Sequence, residues 1–245
     1  MKLKFNSTRI DNHTDSDAHT KAGGTNTNRL RAAVLGANDG IVSVASIVVG
    51  VAGATNSKGA IFTAGLAGLV AGALSMAVGE YVSVSTQRDT ERATIAHEKW
   101  ELRTKPDQEL AELVAMYEAK GVSPPTAQAV AKELTAHDAL GAHLDVELNI
   151  DPDDLTNPWQ AGMASMVSFT IGALIPLCSV LFSAARLRLA ITFMAVGLAL
   201  ILTGYLSATA GGASRRRAIV RVVVGGIIAM VVTYGIGRLF GTAVS

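Results

Sequence analysis

The sequence predicts an all-α integral membrane protein, with five transmembrane helices and a three-helix cytosolic insertion between spans two and three. Three observations predict it. Apolar residues collect into five runs, roughly 31–55, 60–84, 161–183, 189–209 and 217–240, each near the ~20 residues a helix needs to cross a bilayer. Charges are almost confined to the segments between, so a mean hydropathy of +0.36 conceals sharp segregation. The long interval 86–158 is polar and amphipathic, and proline and glycine punctuate it.

Residues 1–28 are polar, lack the apolar core of a signal peptide and read as a disordered tail. Spans one and two occupy 29–85. Lys2, Lys4, Arg9, Lys21, Arg29 and Arg31 precede span one, whereas the loop after it carries only Lys58. That asymmetry puts the N-terminus in the cytosol. Five crossings then leave 86–158 and Arg215, Arg216 and Arg217 cytosolic; Arg186 and Arg188, in a short outer turn, run against the rule. Residues 159–245 hold spans three to five. Pro176 predicts a kink in span three. Cys178, the single cysteine, excludes an intramolecular disulfide and reads as a small buried hydrophobe.

Asp39 lies inside span one, where an aspartate at mid-helix costs roughly 2.5–3.5 kcal/mol and therefore normally faces a partner or an ion path. Gly36 and Gly40 flank it and allow close approach of another helix. Glu80 in span two lies eight residues before Arg88, as Asp39 lies eight after Arg31, so both sit about 12 Å from the flanking arginine. Met76 is one turn from Glu80 on the same face, so a thioether and two carboxylates can converge on one ion. Asn38, Ser43 and Ser46 add oxygens. Gly65, Gly68, Gly72 and Gly79 form a small-residue packing seam in span two.

In the insertion, Pro106 stops a first helix near Thr104, Gly121 stops a second near Lys120, and Ser123 with Pro124 opens a third that lasts to about Leu148. Fifteen acidic residues face seven basic ones between 86 and 158, a net charge of −8 with histidines neutral. Glu98 and Glu101, Glu109 and Glu112, and His143 and Glu147 each share a helix face, so two helices can present four carboxylates to each other. A divalent cation would relieve their repulsion; a solvated acidic face is the simpler alternative. Individually, His97, His137 and His143 read as exposed helical histidines. No P-loop, H-E-x-x-H, E-x-x-H, EF-hand or G-x-S-x-G pattern occurs, which argues against direct ATP coupling, a ferritin-like di-iron site and a hydrolase. The sequence thus predicts no enzyme and no nucleic-acid partner.

The stretches LGANDGIVSVASIVVGVAGA (35–54), SMAVGEYVSVSTQRDTE (75–91) and AHDALGAHLDVELNI (136–150) closely resemble the vacuolar iron transporter family, in order and from about residue 29 to 240. The AHDALGAH segment resembles bacterial members most. The resemblance implies a homodimeric exporter of cytosolic Fe2+, with Mn2+ as a second candidate, in exchange for protons. By residue match, Asp39 and Met76 look like the family's pore carboxylate and methionine, and Glu80 belongs to the same segment. Glu98, Glu101, Glu109 and Glu112 match the paired glutamates of its cytosolic metal-binding domain, and Glu147 the glutamate of its third helix. Where better-known eukaryotic members carry a methionine pair, this chain has His143 and Leu144; imidazole suits iron, manganese or zinc, and leucine cannot ligate. No cofactor beyond the carried metal is implied. The resemblance implies the inner membrane of a bacterium, or the vacuolar membrane if the source is a eukaryote. Two other readings stay open, a membrane-anchored metal sensor and a passive divalent-metal channel.

Overall fold

The computed structural model describes residues 14–150 and 157–244. They form seven α-helices: α1 (Thr14–Ala54), α2 (Lys58–Thr104), α3 (Pro106–Ala119), α4 (Pro124–His143) with a π-helical turn (Leu144–Leu148) after it, α5 (Pro158–Phe182), α6 (Arg188–Ala210) and α7 (Arg215–Val244). Five of them, α1, α2, α5, α6 and α7, are long and apolar enough to cross a membrane. The all-α membrane class is therefore what this sequence forms. Of the predicted disordered tail, residues 1–13 lie outside the described residues and 14–28 are continuous with α1. The chain divides into two compact units, Met1–Ala77 with Met163–Ser245, and Val78–Gly162.

In the first unit α1 is the central helix. Its Ile41, Val44, Val48 and Val49 are buried among Phe169 and Leu177 of α5, Val196 and Leu200 of α6, and Met230 of α7. Glycine sets how near the helices come. A Cβ on Gly40 would lie 2.9 Å from the carbonyl carbon of Phe169 and 3.0 Å from the Ala173 nitrogen, and one on Gly172 would lie 2.8 Å from the carbonyl carbon of Ala37. So α1 and α5 cross backbone to backbone, a contact that only small residues permit. Gly36 faces Ser165 and Ser168 of α5 in the same way. The seam predicted in α2 is partly realised: Gly65 receives Val48 and Leu177, Gly68 receives Ile47 and Gly72 receives Phe169, while Gly79, which belongs to the second unit, has nothing within 4 Å of where its Cβ would be.

One reading is corrected in this unit. Cys178 is exposed rather than buried. Arg188 is buried, only 6% exposed, and its Nη1 donates to the Asn56 carbonyl at 3.2 Å. It ties the start of α6 to the α1–α2 turn through one carbonyl just past the C-terminal end of α1, where a cation is favoured by the helix dipole.

In the second unit α3, α4 and the π turn pack around Leu113, Ala131 and Ala142, with Leu110, Val114, Tyr117, Leu134 and Val146 alongside. Its helix boundaries follow local chemistry. Pro106 opens α3, where its missing N–H costs nothing, and Gly121, at φ 93°, supplies the left-handed step after it. Pro124 opens α4, although Ser123 directs its hydroxyl to Thr126 Oγ1 at 2.9 Å and not to a backbone amide. Tyr81 and Trp159 meet with ring centroids 4.9 Å apart.

Candidate metal centre

Four acidic or imidazole side chains meet within the second unit. Glu98 comes from α2, Glu109 from the first turn of α3, His143 from the end of α4 and Glu147 from the π turn. His143 Nδ1 lies 3.1 Å from Glu98 Oε1, 3.3 Å from Glu147 Oε2 and 3.9 Å from Glu109 Oε2. Glu98, Glu109 and His143 each offer a ligand atom within 4.8 Å of the others. Glu98 and Glu109 are each 4% exposed and His143 is 0% exposed.

Such a cluster is electrostatically poor without a cation. Burial pushes the Glu98 carboxyl above the usual carboxylate range, the negative charge of Glu147 adds to the rise, and His143 acts against it. Burial likewise raises Glu109, with Glu101 and Glu112 repelling its charge. Glu98 Oε1 and His143 Nε2 are buried without a hydrogen-bond partner. Desolvated, mutually repelling oxygens around one imidazole nitrogen form a donor set that a divalent ion neutralises.

The predicted four-carboxylate face is thus only half convergent. Glu101 is partly exposed and lies 3.3 Å from both His97 and Lys105, and Glu112 is exposed on α3. Both stand at the rim, and their charges still reach Glu109. His97 and His137 are exposed as expected, but His143 is not, and its burial overturns its reading as a surface histidine. Sequence reasoning also passed over Asp138 and Gly141, whose D-x-x-G spacing inside a helix was the available signal.

In the first unit, Asp39 is exposed, and Ser43 Oγ donates to its Oδ1 at 3.2 Å. Gly36 and Gly40 face α5 and are buried, so the close-packed face is not the one that carries the carboxylate. Asn38 turns to α6, where Thr203 Oγ1 lies 3.5 Å from its Oδ1. Met76 is partly buried against the apolar core. Glu80, one turn further along α2, belongs to the second unit and is partly buried.

Fold and site together define a polytopic α-helical membrane protein with a built candidate cation site. Residues 30–238 match the VIT family, and the chain belongs to that family. It is 44% identical over 229 residues to the vacuolar iron transporter of Acanthamoeba castellanii, covering 93% of this chain and 84% of that protein. It is 40% identical to vacuolar iron transporter homolog 1 of Oryza sativa subsp. japonica, over 86% of this chain and 74% of that one. It is 37% identical to VIT-like transporter 1b of Glycine max, over 87% and 77%.

Proposed function

We propose that this chain exports Fe2+, with Mn2+ as a second substrate, from the cytosol in exchange for protons, working as a homodimer. The observation that carries the reading is the buried Glu98, Glu109 and His143 cluster, whose donors suit a transition-metal dication better than the all-oxygen sets of Ca2+ or Mg2+. Relatives named as iron transporters support iron as the substrate. In this reading residues 86–158 capture metal, with Glu101, Glu112 and Glu147 drawing cations to the buried ligands. The metal then passes to Asp39, Met76 and Glu80.

The exposed Asp39 carboxylate, set in an apolar helix, requires cover in lipid, and a second copy of the chain supplies it. A carboxylate out of water holds a proton or a cation but not both at full strength, so metal and proton exchange for each other there. Met76 adds a soft sulfur that favours Fe2+ over Mg2+. The excess of basic residues before the apolar part of α1, Ala33–Ala54, supports a cytosolic N-terminus and a cytosolic insertion.

A second reading, a membrane-anchored metal sensor, draws on the fact that all the clustered ligands come from the second unit. Fe2+ uptake into proteoliposomes, with and without an imposed pH gradient, separates the two. Export predicts uphill flux driven by the gradient, lost in Asp39→Ala and slowed at low metal when Glu98, Glu101, Glu109 and Glu112 are replaced by alanine. Metal binding without flux would support the sensor, and flux indifferent to the pH gradient a channel.

A further inference from the structure

The backbone of α4 leaves helical geometry at one residue, Asp138, with φ −156° and ψ 91°. Before it, Ala127 and Ala131 are buried, and Ala131 and Leu134 pack into the core of the unit. At about 100° per residue, an unbroken helix would carry His143 and Glu147 roughly 160° round from that buried stripe, onto its opposite side. The structure does the reverse. Ala142, eleven residues after Ala131 and so only about 20° round from it, would join that core in an unbroken helix too, but His143 is also fully buried, with Nδ1 facing Glu98 and Glu109, and Glu109 lies one turn from Leu113 of the same core. The break at Asp138 therefore re-aims the rest of the helix.

The side chain of Asp138 holds that break in place. Its Oδ1 accepts the Gly141 N–H at 3.0 Å, the bond by which an N-cap residue satisfies the third amide of the helix it begins. Gly141 is matched to it, since a Cβ there would run into the Asp138 carboxylate, with Cγ at 2.9 Å. The restarted helix then widens into the π turn that carries Glu147, and Asn149, in the left-handed conformation at φ 48°, closes it. Local widening of this kind commonly accompanies a functional residue that must leave its α-helical register.

We infer that Asp138 and Gly141 are a positioning pair, a helix break and restart that turns His143 and Glu147 toward Glu98 and Glu109 and so assembles the metal centre. The inference rests on the reading that this cluster binds metal. Neither residue touches the metal: Asp138 is exposed and spends its Oδ1 on the Gly141 amide. The pair sets affinity through the direction in which its neighbours point.

The test is anaerobic Fe2+ titration by calorimetry on the full chain in detergent, with histidine accessibility read by diethylpyrocarbonate labelling and mass spectrometry. His97 and His137, both exposed, serve as internal references for labelling. Asp138→Ala should weaken Fe2+ binding by roughly 10–100-fold, as loss of a ligand-orienting partner does. It should also bring His143 up to the labelling of the two reference histidines, with helix content unchanged. Asp138→Asn keeps the accepting oxygen and should restore both affinity and protection. Gly141→Ala retains every ligand, displaces the cap and should behave as Asp138→Ala does, which decides the matter where Asp138→Ala does not fold. Unchanged affinity with protected His143 in a folded Asp138→Ala, or in Gly141→Ala, would overturn the pairing. Fe2+ failing to bind the unsubstituted chain would instead overturn the metal-centre reading.

Discussion

At the scale of single residues, Glu98 and Glu109 carry the argument, because both carboxyls titrate above their ordinary range through burial. A raised carboxyl contributes stability that is complete below its unfolded value, 4.5 here, and is lost as pH rises through the folded value. The metal-free protein therefore loses stability from these groups as pH rises above 4.5, and metal returns it. Glu98→Gln should raise the thermal midpoint of the metal-free protein near pH 7 by a few degrees, flatten the part of its pH dependence due to that group and abolish stabilisation by Fe2+. Thermal unfolding with and without metal checks all three, and a metal-free midpoint lowered by the substitution would contradict the repulsion argument. His143 leads to a different prediction. Imidazole favours the later divalent metals more strongly than carboxylate does, so His143→Ala should reduce Zn2+ and Co2+ affinity more than Mn2+ affinity. Equal losses in competitive titrations would mean that His143 Nδ1 is not a ligand.

At the scale of helices, the α1–α5 crossing fixes the first unit. The atoms facing Gly40 are backbone of Phe169 and Ala173, which cannot rotate away. Gly40→Ala should destabilise the protein by about 1–3 kcal/mol, as overpacking does. Gly197 in α6, with open space where its Cβ would be, should accept alanine without loss. Thermal unfolding of the pair in one detergent measures the contrast, and equal midpoints would remove the crossing as a determinant of stability. Helix ends were legible in the sequence because Pro106, Gly121 and Pro124 act through their own covalent geometry. The break at Asp138 was not. An aspartate within a helical pattern reads as a surface residue, and only its backbone angles and its bond to Gly141 reveal a new helix start. The burial of His143 went unseen for the same reason, since it depends on a rotation that periodicity assumes absent. The i, i+4 pairing of His143 with Glu147 survived because both residues follow the break. Arg188 was noticed for its charge, but its burial was not legible, since the Asn56 carbonyl that it binds lies 132 residues away.

At the scale of the whole molecule, the open question is what covers Asp39 in the bilayer. Leu35, one turn before it, is 65% exposed, so the face carrying both residues is uncovered in one copy. A leucine is content against lipid, whereas an aspartate is not, so the carboxylate decides that this face meets protein or a protein-lined water path. If a second copy provides that cover around a two-fold axis, like residues approach like residues, as in any isologous contact. The exposed Cys178 is the single native cysteine and can be replaced by alanine to give a background for cross-linking. In that background Leu35→Cys should yield covalent dimers with a short bis-maleimide in native membranes. Met194→Cys on α6, 66% exposed, is an equally accessible reference and should stay monomeric if α6 faces lipid. Excess Fe2+ should leave the Leu35→Cys yield intact if the dimer forms without metal. Cross-linking through Met194 alone would move the interface to α6 and strand Asp39 away from it. The proposed pore of Asp39, Met76 and Glu80 would then have to form without a partner copy.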